Sequence, residues 1–181
     1  MTITLFSDID FSLSVADTKG VDQTVNRQDL DDCLTDDRTV SVICCRFNDA
    51  PDKTMSELLK VAKTAGLTER IATETVLLVL DRNDEAKEVI DIDEAIGDKD
   101  EGREIRLELV SNDLRHALQL DSLDIQFLDV KSDEIANLAK YLPTKISALR
   151  NTHSEHLVEI ENAVFEIEKQ LVSQSAKQAQ R

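Results

Sequence analysis

The sequence predicts an α+β or α/β body, with a mixed sheet of five to six strands, followed by a helical C-terminal arm. Two observations carry that class. Up to Lys131, segments with strand-like alternation or short apolar runs alternate with segments of helical period, and after Lys131 only the helical period remains. A third observation separates the two parts: of the net charge of −16, residues 132–181 hold six Lys/Arg against seven Asp/Glu, leaving 15 basic against 30 acidic residues in 1–131. The expected organisation is an acidic body over 1–131 and an arm over 132–181, with an amphipathic helix at 143–175.

Taken in order, Ile3, Leu5, Ile9, Phe11, Leu13 and Val15 occupy alternate positions, the period of a strand with one buried face. A turn is expected at Asp17–Gly20, and Asn26 is placed to cap a short helix that turns Leu30, Cys33 and Leu34 inward. Thr39–Phe47 is apolar on both faces in its middle, as a central strand requires. Thr54 with Glu57 three residues on reads as a capping box for a helix burying Met55, Leu58, Leu59 and Ala62, and Gly66 reads as its left-handed terminator. Strands are expected at Thr75–Leu80, Glu88–Ile92 and Arg103–Val110, the last from the alternation of Ile105, Leu107 and Leu109 with charged residues. The acidic stretch 93–102, DEAIGDKDEG, joins the last two as an exposed turn. Ser111–Asp113 then caps a short helix, Leu123–Val130 forms a further strand, and Ser132 caps a helix that Leu142–Pro143 ends at Tyr141.

The arm's apolar residues recur in steps of four and three: Leu142, Ile146, Leu149, then His153 and His156, then Ile160, Ala163 and Ile167. Leu157, Val164 and Leu171 form a second row beside this seam, so the apolar face is wider than a strict two-position stripe. A helix of about thirty residues is about 45–50 Å long, more than a body of this size covers. The partner-binding residues are therefore expected to be Ile146, Leu149, His153, His156, Leu157, Ile160, Val164, Ile167 and Leu171, and the partner a second copy or another protein.

Composition narrows the function classes. An acidic body repels nucleic-acid phosphates, and five Phe, one Tyr and no Trp leave little for base stacking, so direct nucleic-acid binding is not expected. Three cysteines, two of them the adjacent Cys44 and Cys45, form neither an even framework nor a CxxC pair, which points to a reducing, cytoplasmic setting. No run of eighteen apolar residues occurs, and none of the chain reads as a secretory leader or a membrane span. Four glycines build no dinucleotide or P-loop cradle, and no cofactor or resident metal is expected.

One short constellation could carry chemistry. Asp129-Val130-Lys131 ends a strand, and residues two apart on a strand face the same side. The pair resembles the strand acid and lysine of PD-(D/E)xK metal-dependent nucleases. That resemblance implies a divalent metal held by Asp129 and an upstream acid, Asp113 or Asp121, with Lys131 stabilising developing charge. The primary expectation is a non-enzymatic interaction or adaptor subunit of a cytoplasmic assembly. An acidic nucleic-acid mimic that occupies a basic enzyme groove stands as the first alternative and the nuclease as the second.

Overall fold

A computed structural model describes residues 13–17, 28–36, 38–91, 94–120, 123–129, 131–132 and 134–179. Along them run α1 (Gln28–Thr35), β1 (Ser41–Arg46), α2 (Lys53–Thr64), α3 (Thr68–Glu74), β2 (Thr75–Asp81), β3 (Ile90–Asp91), β4 (Glu94–Ala95), α4 (Lys99–Asp113), β5 (Asp124–Asp129) and α5 (Glu134–Ala179). A 3-10 turn at Glu85–Glu88 follows β2, and a π-helical turn at Leu114–Leu118 ends α4. The chain divides into two units, residues 1–141 and 142–181.

In the first unit, β1, β2 and β5 form a parallel sheet in the order β1-β2-β5. β2 is its centre because TVLLVLD is apolar on both faces, and all but one of its residues are buried. The register lines up Ile43, Leu77 and Ile125 in one row across the strands, then Cys45, Val79 and Phe127, and finally Asp81 beside Asp129. The two apolar rows share a core with Met55, Leu59 and Ala62 of α2, Ile71 of α3, and Val110 of α4. At the end of that same face the core meets two carboxylates on adjacent strands.

The α2 start differs in detail from the expected capping box. Asp52 is the cap, accepting the Met55 N–H at 2.6 Å, so the helix opens one residue before Thr54. Gly66 takes φ +84°, as a left-handed terminator should. The peptide between Ala50 and Pro51 is cis.

The expected sheet is corrected: three parallel strands replace five or six mixed ones, and β3 pairs antiparallel with β4 in a separate two-stranded ribbon. The expected strand at Arg103–Val110 lies inside α4. Asp98 accepts from the N–H groups of Asp100 and Glu101, and Asp100 and Glu101 add negative charge to the first turn, so the start is strongly helical. The face turned to the sheet is the four-residue row Gly102, Arg106, Val110, Leu114, whereas Leu107 and Leu109 are exposed. The alternation of Ile105, Leu107 and Leu109 is thus incidental to burial. The helix expected to start at Ser111–Asp113 continues α4. Of the strand expected at Glu88–Ile92, Ile90–Asp91 is strand and Glu88 ends the 3-10 turn, while Ile92 lies outside the described residues. The helix expected to stop at Tyr141 runs on through Pro143, whose missing N–H costs one backbone bond in a helix of 46 residues. Leu13–Val15 is not strand, and the remainder of the expected strand from Ile3, with Asn26 and most of the Asp17–Gly20 turn, lies outside the described residues.

Gly102 fixes how closely α4 approaches the turn after β2. A Cβ there would stand 1.8 Å from the Ala86 carbonyl oxygen, a backbone atom that cannot swing aside. In an open helix Gly→Ala gains about 0.5–1 kcal/mol. At Gly102 the sign should reverse, with Gly102→Ala lowering stability by about 1–3 kcal/mol through overpacking. Urea denaturation of the two proteins measures this, and an unchanged or raised midpoint for Gly102→Ala would contradict the packing.

Candidate functional site

The carboxyl ends of parallel strands are where α/β sheets place their ligand sites, and here that edge holds a dense set of charges. β2 delivers Asp81 and β5 delivers Asp129, the first fully buried and the second nearly so. Strand spacing keeps the two backbones about 4.8 Å apart, so two buried negative charges need cations. α4 supplies them from one face, Lys99 and Arg103 being four residues apart. α5 adds Glu134 at its start, where Ser132 accepts the Glu134 N–H at 3.3 Å.

The resulting network is closed. Lys99 Nζ donates to Asp129 Oδ2 at 2.8 Å and to Glu134 Oε1 at 3.1 Å. Arg103 donates to both Glu134 oxygens, at 3.1 and 2.8 Å, the bidentate arrangement that suits a guanidinium. The Asp129 N–H donates to Glu134 Oε2 at 2.6 Å, and the Lys131 N–H to Asp129 Oδ1 at 2.8 Å. Asp81 Oδ1 accepts the Glu85 N–H at 2.8 Å and so pins the turn after β2, while its Oδ2 lies 4.0 Å from Arg103. Below the ions, Arg103 stands over the Phe127 ring at 5.8 Å and Arg106 over Phe47 at 5.0 Å, the two rings being 5.9 Å apart. Those faces contact the guanidinium planes, whose Nε atoms have no hydrogen-bond partner among the described residues.

The charges respond as the geometry requires. Burial by itself would raise the Glu134 pKa, but hydrogen bonds from Arg103, the Asp129 N–H and Lys99 outweigh it and hold the carboxyl at about 2. The Lys99 hydrogen bond, then the Lys131 N–H, lower Asp129. Burial alone would lower Lys99, yet its bonds to Asp129 and Glu134 raise it. Two turns along α5, Tyr141 donates its hydroxyl to Asp124 Oδ2 at the opposite end of β5. Burial first, and then the Asp124 carboxylate, push the phenol's pKa upward. Glu134 and Tyr141 thus fasten the first two turns of α5 along the length of β5.

Of the residues suggested for metal-dependent cleavage, Asp129 is engaged by Lys99, and Lys131 donates from Nζ to Asn83 Oδ1 at 2.9 Å. Asp113 ends α4, fourteen residues after Lys99. At about 1.5 Å per residue that is about 21 Å along the helix from the Lys99 end beside Asp129. Asp121 lies outside the described residues. Among the described residues no three of His, Cys, Asp and Glu stand together where they could hold a metal ion. The cavity lined by Cys33, Leu34, Arg70, Ile71, Glu74 and Thr75 measures about 10 Å³, the size of one water.

The residues suggested for partner binding all lie on α5. Ile146 and Leu149 are half-buried, and His153, His156, Leu157, Ile160, Val164, Ile167 and Leu171 are exposed. Four further large apolar residues on the same helix are exposed, Ile135 at its start and Val158, Phe165 and Val172 in its second half. For the last three the sequence carries a signal. Their spacing of seven is visible in the sequence one position after the Leu157 row, and it is the signal that a search for four-three steps alone passes over. Among the described residues no helix is long and apolar enough to cross a membrane. Compared with family models, characterised proteins and solved structures, the chain matches none.

The low Glu134 pKa has a sign. The unfolded chain, with Glu near 4.5, binds this proton more readily than the folded chain does at about 2. The contribution, about 3 kcal/mol, is present above pH 5 and is lost as pH falls toward 2. Urea midpoints at pH 7, 4 and 3 should fall accordingly. Glu134→Gln should be less stable at pH 7, and its stability should decline less between pH 5 and 3. An identical acid decline in both proteins would contradict the assignment.

Proposed function

We propose that the protein is a non-enzymatic interaction subunit whose C-terminal helix associates with a partner helix. The observation that carries this reading is the cluster of eight large apolar side chains between Leu157 and Val172, each 49–70% exposed. Burial of apolar surface is worth about 25 cal/mol per Å², and exposed apolar surface on this scale marks an association surface. The body's composition supports the same reading. Its charged edge is spent on internal ion pairs: each oxygen of Asp129 and Glu134 already accepts from a neighbour in the fold. Among the described residues, the largest group of exposed large apolar side chains is on α5. The strongly acidic body keeps such a subunit soluble and away from nucleic acid.

Replacing Ile160 and Ile167 together with Asp places charge in the association face. The variant should sediment as a smaller species than the parent and keep the parent's near-ultraviolet and amide spectra for residues 38–129. A parent that is a monodisperse monomer, unchanged in size by the double substitution, overturns the reading.

A further inference from the structure

β1 stands at an edge of the sheet but is built like a central strand. Between Val42 and Cys45 it is apolar on both faces, with Ile43 and Cys45 toward the core and Val42 and Cys44 on the opposite, exposed face. That is the composition of a parallel strand with a neighbour on each side. Among the described residues only β2 pairs with it. The Phe47 N–H donates to the Leu80 carbonyl at 3.0 Å, and N–H groups alternate in direction along a strand, so those of Val42, Cys44 and Arg46 point to the outer edge. Natural edges are blunted by charge, proline or a bulge, yet SVICC carries no charge and no proline before Arg46.

The hand of the crossovers shows which strand can fill this edge. α2 and α3 carry the chain from β1 to β2, α4 carries it from β2 to β5, and all three helices pack on the face of Ile43, Leu77 and Ile125. Both crossovers thus advance in one direction across the sheet with their helices on one face, the right-handed form that parallel strands adopt almost without exception. α1 precedes β1, and its Leu34 packs against the same core. A parallel strand ahead of α1 therefore belongs on the side of β1 away from β2. From the other open edge, beside β5, the crossover through α1 would be left-handed.

Residues 3–11 have the sequence period for that place. Ile3, Leu5, Ile9 and Phe11 fall on one face of an extended chain, and Thr4, Asp8 and Asp10 on the other. The chain that follows them is also close to β1. Partial desolvation first, and then the Asp17 carboxylate, raise the pKa of the Cys44 thiol, and screening confines such an effect to about 10 Å.

We propose that residues 3–11 of the same chain occupy the outer edge of β1 as a fourth parallel strand, with Ile3, Leu5, Ile9 and Phe11 on the face of Ile43 and Cys45, and Asp8 and Asp10 on the face of Arg46.

Cross-strand nuclear Overhauser contacts in the full-length chain test this without any substitution. Amide and α protons of residues 3–11 should contact those of residues 41–46. Contacts of 3–11 with 124–129, contacts with neither strand, or contacts with 41–46 that arise only between differently labelled copies in a mixed sample each overturn the proposal. Hydrogen exchange then reads the edge itself. Ile9→Asp should speed exchange at the Val42, Cys44 and Arg46 amides by about tenfold more than at Cys45 and Phe47, which face β2. An increase at those three amides no greater than at Cys45 and Phe47 overturns the pairing.

Discussion

Two carboxylates at the end of one face of a parallel sheet set the terms for the rest of the body. Asp81 and Asp129 sit side by side in the register, both buried, and a buried carboxylate without compensation costs several kcal/mol. The compensation comes from two places. α4 must lie where Lys99 and Arg103 reach the edge, and the chain after β5 must turn so that Glu134 accepts from both. The close approach at Gly102 follows, because Arg103 is the next residue and reaches the edge only when the first turn of α4 presses on Ala86.

Arginine rather than lysine at position 103 serves two contacts at once. Its fork binds Glu134 with two hydrogen bonds while its plane lies over Phe127. An ammonium is a compact, strongly hydrated point charge and makes neither contact as well. Arg106 repeats the second contact on Phe47 one turn later. The core of this body is therefore partly built of cation–aromatic layers on Phe127 and Phe47. Ion networks of this kind specify geometry more than they add net stability, and here they fix which turn of α4 and which residue of α5 meet β5.

The parts of this arrangement differ in how legible they are from sequence. β2 and β5 are readable because a central parallel strand is apolar on both faces and its neighbour ends in an acid followed by a serine cap. α2 is readable from its apolar row and Gly66, although Asp52 rather than Thr54 supplies the cap. α4 is not readable from apolar periodicity, since its buried row contains Gly102 and Arg106, one with no side chain and the other charged. Asp98 ahead of two acidic residues is the signal that distinguishes it from a strand. The continuation of α5 through Pro143 is hidden for a related reason: a local breaker is outweighed by the helical preference of the residues on either side. Asp129 stands out in the sequence, but Lys99, which donates to its carboxylate, and Glu134, which accepts its N–H, come from 30 and 5 residues away. No local pattern encodes that meeting.

The apolar face of α5 stands apart from this network, and on the function proposed above a second chain, not solvent, covers it. Amide hydrogen exchange over residues 157–171, followed as the full-length protein is diluted, tests that directly. If copies of the chain cover the face, these amides are protected at high concentration and lose protection on dilution, while amides of β1, β2 and β5 exchange at the same rate throughout. Protection over 157–171 that does not change with concentration would contradict it.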